Sequence, residues 1–231
     1  MALYIIADLH LSLDENVNKP MDIYGGPWVN HTEVLKKEWE AIIKPEDTVI
    51  IAGDISWGLK IEQTMADLEY IGKLPGKKII FKGNHDLWWT GINKLNKLFD
   101  NIVFVHNTFV AVGNTAVCGT RGWNCPGSED FTLQDNKIYK REVLRLKTSI
   151  ELAKEEGYKD IVGVLHYPPT NDKKQPSEFT RTFESYGIKD VYFGHLHGEN
   201  AKKTNNNYIY NGVSYKLISL DKLECKPMKI R

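Results

Sequence analysis

The sequence predicts a single α/β domain over residues 1–231, built around a parallel β-sheet. Short apolar runs of strand length alternate with segments whose apolar residues recur at helical spacing, which is typical of βαβ units. The length of 231 residues suits one compact domain with a large core. Hydrophobic residues make up 42% and charged residues 26% of the chain, so disordered and fibrous classes are excluded.

The first half of the chain shows the alternation most clearly. The apolar run from Leu3 to Ala7 predicts a buried strand that ends at Asp8. The turn-rich segment 11–31 predicts a long loop, and such loops are often functional. The further predicted elements are a helix over 32–43, a strand over 48–52 followed by Gly53-Asp54, a helix over 61–74, and a strand over 78–81 followed by Gly83-Asn84-His85-Asp86.

The second half is predicted to be more antiparallel at first. Gly113-Asn114 indicates a tight hairpin turn between two apolar runs. Gly157 is a typical C-terminal stop for a long helix over 136–156. The other predicted elements are a short helix over 90–99, strands over 102–105, 109–112, 115–118, 161–165 and 191–193, and a strand or hairpin over 208–220.

Charge and cysteine content narrow the class of protein. The 30 basic residues equal the 30 acidic ones, so there is no strong signal for nucleic-acid binding. Cys118, Cys125 and Cys225 are odd in number and far apart, which argues against disulfides and fits a reducing compartment. The apolar stretch at the start is too short for a signal peptide or a membrane span. We therefore expect a cytoplasmic protein without a membrane partner, and its oligomeric state stays open.

Residues with metal-binding side chains follow the predicted strands, at the sheet edge where α/β proteins place their ligand sites. Asp8 and His10 are two apart, so on an extended strand end both side chains would point the same way, and His195 and His197 repeat this spacing. Asp54 is the only acidic residue at the end of the second strand and is suited to bridge two cations. Any one of these residues also reads as a turn or cap residue. Five of the seven histidines, however, occupy such positions, which chance does not readily explain.

Five motifs together resemble the calcineurin-like metallophosphoesterase family, of the bacterial phosphohydrolase type. The resemblance spans residues 8–197, is specific for the superfamily and says little about the substrate. It implies a four-layer α/β/β/α sandwich of two mixed β-sheets flanked by helices. The motifs, in order along the chain, are Asp8-Leu9-His10, Gly53-Asp54, Gly83-Asn84-His85-Asp86, His166 and Gly194-His195-Leu196-His197.

The resemblance also implies two metal ions as cofactors. Oxygen and imidazole donors without a thiolate suit divalent or transition metals such as manganese, iron or zinc, and the sequence does not choose among them. The implied ligands are Asp8, His10 and His197 for one ion, Asn84, His166 and His195 for the other, and Asp54 as the bridge between them.

Two further residues are implied to be catalytic. His85 would stabilise a phosphoryl oxygen or protonate the leaving oxygen, as imidazole can near neutral pH, and Asp86 would orient or support it. The alternative for His85 is a structural histidine that caps a turn. The implied reaction is hydrolysis of a phosphomonoester or phosphodiester by attack of a metal-bridging hydroxide, with His85 assisting.

The substrate is expected to be a phosphorylated small molecule or nucleotide, because the chain is of modest size and neutral charge. Arg121 lies just past a predicted strand, where its guanidinium could take two phosphate oxygens. A solvated loop arginine is the alternative. A nuclease or a protein phosphatase on the same site are competing functions. A metal-binding interaction module without turnover belongs to another class, and the retention of all seven implied ligands and His85 argues against it.

Overall fold

The structure, a computed structural model, describes residues 1–203 and 206–231. It contains two mixed β-sheets accompanied by helices, which confirms the predicted fold class. The strands in the described residues are β1 (Leu3–Ile6), β2 (Thr48–Ala52), β3 (Lys77–Phe81), β4 (Ile102–Phe104), β5 (Phe109–Val112), β6 (Thr115–Thr120), β7 (Asp160–Leu165), β8 (Asp190–Phe193), β9 (Tyr208–Tyr210), β10 (Val213–Leu217) and β11 (Met228–Lys229).

Helices connect most of these strands. Two short 3-10 helices, Met21–Tyr24 and Gly26–Trp28, lie in the predicted long loop after His10. Among the residues that the structure describes, no helix combines the length and apolar character needed to cross a membrane. The α-helices are α1 (His31–Ile42), α2 (Ile61–Lys73), α3 (Ile92–Leu95), α4 (Leu133–Glu155), α5 (Glu178–Ser185) and α6 (Gly198–Lys203).

The chain divides into two compact units, each with its own sheet and hydrophobic core. The first unit comprises Met1–Phe104 and Ile218–Arg231, and the second comprises Val105–Leu217. The strand order is β11-β1-β2-β3-β4 in the first unit and β5-β6-β7-β8-β10-β9 in the second. The assignment of the whole chain to a single domain stays a prediction.

In the first unit, β1 to β4 are parallel and β11 is an antiparallel edge strand. All five residues of β2 are buried, as expected for a central strand covered on both faces. The crossover helices α1 and α2 bury Leu35, Trp39, Leu68 and Ile71 in the core of this unit. Because the four parallel strands share one direction, the segments that follow them emerge at one edge of the sheet.

In the second unit, β6, β7, β8 and β10 are parallel, while β5 and β9 are antiparallel edge strands. The predicted hairpin turn joins β5 to β6. Helix α4 starts three residues before its predicted beginning, because Thr132 and Asp135 form a capping box there. The Thr132 hydroxyl accepts a hydrogen bond from the Asp135 backbone N–H at 3.1 Å, and the Asp135 carboxylate accepts one from the Thr132 N–H at 2.9 Å.

Several elements differ from the sequence prediction. Helices α5 and α6 and strand β11 lie outside it, and the helix predicted over 90–99 is reduced to the four residues of α3. Strand β4 was expected in an antiparallel region but pairs parallel with β3. Helix α5 is stabilised by the Ser177 hydroxyl, which accepts from the backbone N–H groups of Phe179 and Thr180. Its apolar pattern is only Phe179 and Phe183, both buried, which is too short to be recognised in the sequence.

Asp67 of α2 is a buried carboxylate beneath the start of the loop that follows His10. It accepts hydrogen bonds from the Leu13 backbone N–H at 2.8 Å and from the Ser56 hydroxyl. Burial raises the pKa of Asp67 to about 6, because removal from water penalises the charged form. The carboxyl group therefore ionises in the folded protein well above the pH at which it ionises in the unfolded chain.

We expect Asp67 to make the protein less stable as the pH rises. Between pH 3.8, the ordinary pKa, and about 6, the folded state retains a proton that the unfolded state has lost. The free energy of unfolding should fall across this window by at most about 3 kcal/mol and stay lower above it. Asp67→Asn should remove this decline in urea unfolding at pH 4, 5, 6 and 7, whereas exposed Asp130→Asn should not. An unchanged pH dependence in Asp67→Asn would refute the effect.

Candidate metal centre

The first unit brings its predicted site residues together at the carboxyl edge of its sheet. Asp8 and His10 follow β1, Asp54 follows β2, and His85 follows β3. The Asp8 backbone N–H donates to the Gly53 carbonyl at 2.9 Å, and the His10 N–H donates to the Asp54 carbonyl at 3.0 Å. The His85 N–H donates to the Asp54 Oδ1 at 2.8 Å, and the His10 Nε2 lies 3.8 Å from the Asp54 Oδ2. Asp54 is thus the centre of this group.

Three of these residues have a left-handed backbone, with φ of 62° at Asp8, 46° at His10 and 52° at Asp54. Such a conformation is uncommon for residues other than glycine and costs on the order of 1–3 kcal/mol each, so it persists only where the surrounding structure holds it, and such residues cluster at active sites. The predicted extended geometry of Asp8 and His10 is wrong, because β1 already ends at Ile6. Tight left-handed turns, and not strand alternation, bring both residues beside Asp54.

The donor atoms at this edge fit a metal ion. Asp8, His10 and Asp54 are only 0%, 3% and 1% exposed. Buried carboxylates are costly unless a positive charge accompanies them. Asn84, half-buried between Gly83 and His85, follows β3 and is predicted to add an amide oxygen. Carboxylate, imidazole and amide donors without a thiolate match the preferences of divalent metal ions.

Gly83 permits the close approach of the segment after β3 to Asp54. A Cβ atom on Gly83 would overlap both the backbone nitrogen and the carboxylate of Asp54. The sequence prediction contained this glycine only as part of a motif. Its physical role is steric, because any side chain would displace the central carboxylate.

We expect Gly83→Ala to weaken metal binding at least about tenfold and to cost about 1–3 kcal/mol of stability, since overpacking forces the backbone apart. Elemental analysis of metal-loaded protein and thermal unfolding measure the two effects. Gly91→Ala is the matched control, because a Cβ there meets nothing within 4 Å. Wild-type metal content in Gly83→Ala would show that the close approach is dispensable.

Asp86 fixes the two turns that carry the ligands. Its carboxylate accepts hydrogen bonds from the backbone N–H groups of Asp54 at 3.0 Å, Ile55 at 2.9 Å and Gly83 at 2.7 Å. The Trp88 indole donates to the same carboxylate at 3.1 Å. These bonds favour a positioning role for Asp86 over direct contact with the reacting atoms. The predicted support of His85 by Asp86 stays a prediction.

Trp57 contacts two histidines of the site, His10 and His85. Its ring stacks on His10 with centroids 4.7 Å apart and an interplanar angle of 20°, and it lies 4.4 Å from the His85 ring. The Trp57 Nε1 donates to the Met21 sulfur at 3.4 Å, which fixes the indole in turn. The role of Trp57 in orienting His10 and His85 was not predicted, and its position three residues after Asp54 is the only signal for it in the sequence.

The second unit contains the other three predicted ligands. His166 follows β7 and is fully buried, while His195 and His197 follow β8. The Gly194 N–H donates to the His166 carbonyl at 3.0 Å, and the His166 and His195 rings lie 5.3 Å apart. His195 has a left-handed backbone, with φ of 73°, and Tyr167 stacks on its ring at 4.1 Å. His166 and His195 are therefore held together, and Tyr167 is a contact that the sequence prediction missed.

The backbone of Arg121 is hydrogen-bonded to the segment that carries His166. Its carbonyl accepts hydrogen bonds from the N–H groups of His166 at 3.0 Å and Tyr167 at 2.9 Å. Its side chain is 17% exposed, with Nη2 3.6 Å from Glu142 Oε1 and the guanidinium 4.4 Å from the Trp123 ring centroid. Burial lowers the pKa of Arg121 below its usual range, although Glu142 opposes this shift. Arg121 is thus not a solvated loop arginine, and its predicted contact with substrate stays a prediction.

Comparison with known proteins identifies a family and one curated relative. The family described as calcineurin-like phosphoesterase matches residues 1–199. The Gene 66 protein of Mycobacterium phage L5 is 43% identical over 56 residues, which are 24% of this chain and 27% of the phage protein. The chain therefore matches only about a quarter of the length of that relative.

Two solved structures share the fold over nearly the whole chain. A protein of unknown function from Aquifex aeolicus, AQ665, is similar with a TM-score of 0.51 and 17% identity, over 99% of this chain and 95% of that one. Phosphopantetheinyl hydrolase (PptH) from Mycobacterium tuberculosis is similar with a TM-score of 0.58 and 14% identity, over the same shares of 99% and 95%. At these identities the similarity establishes the fold alone.

Proposed function

Since the chain belongs to the calcineurin-like phosphoesterase family, we propose that it hydrolyses phosphoesters with a dinuclear metal centre formed by its strand-end residues. The family agrees with the predicted enzyme class, a metal-dependent phosphoesterase. The observation that carries the proposal is the buried, left-handed arrangement of Asp8, His10 and Asp54 in the first unit. The family assignment is the reason to join these ligands with those of the second unit.

The proposed ligands keep the division that the family resemblance implies. Each ion would receive oxygen and imidazole donors, and one carboxylate would be shared. Manganese, iron and zinc all suit such a set. The ligands are Asp8, His10 and His197 for one ion, Asn84, His166 and His195 for the other, and Asp54 for both.

The residues of the chain provide preorganisation and proton transfer. Two bound metal ions would supply a nucleophilic water near neutral pH and neutralise charge on the phosphoryl group. Asp54 is fixed beforehand, because its carboxylate accepts from the His85 N–H and its own N–H donates to Asp86. His85, with its ring held against Trp57, stabilises a phosphoryl oxygen or protonates the leaving oxygen.

A phosphorylated small molecule or nucleotide is the substrate class that we propose. The net charge of zero supports it, because binding of a long nucleic acid usually requires a basic surface. The similar protein from Mycobacterium tuberculosis is named a phosphopantetheinyl hydrolase, which is consistent with a small-molecule ester on this fold. The three cysteines are buried free thiols, which supports a reducing compartment such as the cytoplasm.

Hydrolysis of two chromogenic esters tests this function. Metal-stripped protein would be assayed with bis-p-nitrophenyl phosphate and p-nitrophenyl phosphate after addition of manganese, zinc, iron or nickel. We expect release of p-nitrophenol that depends on metal, and the preferred ester distinguishes a diesterase from a monoesterase. No release with any metal, from protein that still binds two ions, would instead support the interaction module without turnover.

A further inference from the structure

We propose that Arg121 forms a second anion-binding subsite, so that the substrate is a phosphoester whose organic part carries a further phosphate or carboxylate group. This inference rests on the proposed function and specifies its substrate class. The subsite belongs to a group that we call the arginine cluster, which consists of Arg121, Arg141 and Arg145 around Glu142. All four residues lie in the second unit.

The arginine cluster has more positive charge than its own carboxylate neutralises. Glu142 is 1% exposed, and its Oε1 lies 2.7 Å from Arg145 Nη1, 3.5 Å from Arg141 Nε and 3.6 Å from Arg121 Nη2. The Thr120 hydroxyl donates to the other oxygen. Three guanidinium groups thus share one carboxylate. Of the three, Arg145 alone has a short hydrogen bond to this carboxylate, while Arg141 and Arg121 lie at ion-pair distances from it.

Arg121 has hydrogen-bond donors that the protein does not use. Its Nε is buried, and no described residue accepts a hydrogen bond from it. The 3.6 Å separation from Glu142 is an ion-pair distance and is too long for a good hydrogen bond. Trp123 covers the face of the guanidinium, and its own Nε1 donates to Asp135 at 2.8 Å, which holds the indole in place. Buried donors are normally paired, and we take an oxygen of a bound anion as the partner of this one.

The position of Arg121 identifies which part of a substrate it would bind. The Trp123 ring lies 5.0 Å from Tyr167, and the Tyr167 ring lies 4.1 Å from His195. The rings of Trp123 and Tyr167 therefore form a chain of contacts from the guanidinium to His195, a proposed metal ligand. We take an anion bound at Arg121 to be a different group of the substrate from the phosphoryl group that reacts. A planar guanidinium with free edge donors recognises phosphate or carboxylate oxygens, often in pairs.

Calorimetric titration of the metal-stripped full chain with inorganic phosphate tests the subsite. We expect Arg121→Met to weaken phosphate binding at least tenfold. Arg121→Lys should weaken it less, since lysine keeps the positive charge but loses the paired N–H donors of the guanidinium. Arg181→Met is the matched control, because Arg181 is exposed and pairs with Glu178 on the surface of α5. It should bind phosphate as the wild type does. Thermal unfolding of each variant checks that it is folded.

Wild-type phosphate affinity in Arg121→Met, or an equal loss in Arg181→Met, would overturn the proposal. The same holds if the wild-type chain binds no phosphate in the absence of metal. If Arg121→Met does not fold, Arg121→Lys decides, because an unchanged affinity there excludes recognition by the guanidinium fork. The titration requires neither metal nor turnover. A negative titration would therefore not contradict the proposed hydrolysis, and an absence of hydrolysis would not change the meaning of the titration.

Discussion

Asp54→Asn is expected to abolish turnover and to weaken the binding of both metal ions by at least about 100-fold. Loss of a residue that only supports a metal ligand lowers metal affinity by up to about 100-fold, and loss of a ligand should cost at least as much. The substitution removes the negative charge from the residue proposed to bridge the ions but changes the shape of the side chain very little. The backbone contacts of Asp54 with His10 and Asp86 can persist. Elemental analysis after metal loading, together with ester hydrolysis, measures the two effects.

Asp47→Asn is the matched control for this variant. Asp47 is also a buried aspartate of the first unit, and its carboxylate accepts hydrogen bonds from the backbone N–H groups of Ala2 and Lys44. These bonds lower the pKa of Asp47, which marks a structural role. Asp47→Asn should lose stability and keep its metal. Normal metal content in Asp54→Asn would contradict the bridging role.

His85→Ala is expected to retain both metal ions and to lose about 10²–10⁴-fold in kcat, the usual contribution of one general acid or base. The residue is proposed to act on the phosphoryl or leaving oxygen and not to hold an ion. The loss should therefore fall on kcat at full metal occupancy. Steady-state kinetics with either chromogenic ester, alongside elemental analysis, separate the two quantities.

His106→Ala is the control for His85→Ala, because His106 is half-buried and lies outside every predicted motif. It should keep both its metal and its activity. If His85→Ala loses as much metal as Asp54→Asn, then His85 is a ligand and its assignment is incorrect. If it keeps full activity, the alternative of a turn-capping histidine is correct.

Much of the first unit could be predicted from the sequence, because its information is local. The apolar runs of β1, β2 and β3 are continuous, and the residues after them carry unmistakable donor side chains. The conformations of Asp8 and Asp54 could not be predicted in the same way. A left-handed residue other than glycine is unfavourable locally and is maintained by contacts from other elements, such as the hydrogen bonds of Asp86.

Elements that depend on distant partners were missed for the same reason. Strand β11 has two residues and exists through its pairing with β1, more than 200 positions earlier in the chain. Arg121 could be placed after β6, but its burial depends on Glu142 and Trp123, which no local pattern connects with it. Periodicity thus predicts where side chains follow the strands of the sheet. The residues that contact and hold those side chains can be identified only from the tertiary structure.

Activity measured against bound metal tests the dinuclear centre most directly. Metal-stripped protein would receive manganese in increments, with bound ions counted by elemental analysis and hydrolysis of bis-p-nitrophenyl phosphate and p-nitrophenyl phosphate measured at each step. We predict two bound ions per chain and turnover that rises only as the second ion binds. Full activity with one ion per chain, or hydrolysis that persists without metal, would contradict the account.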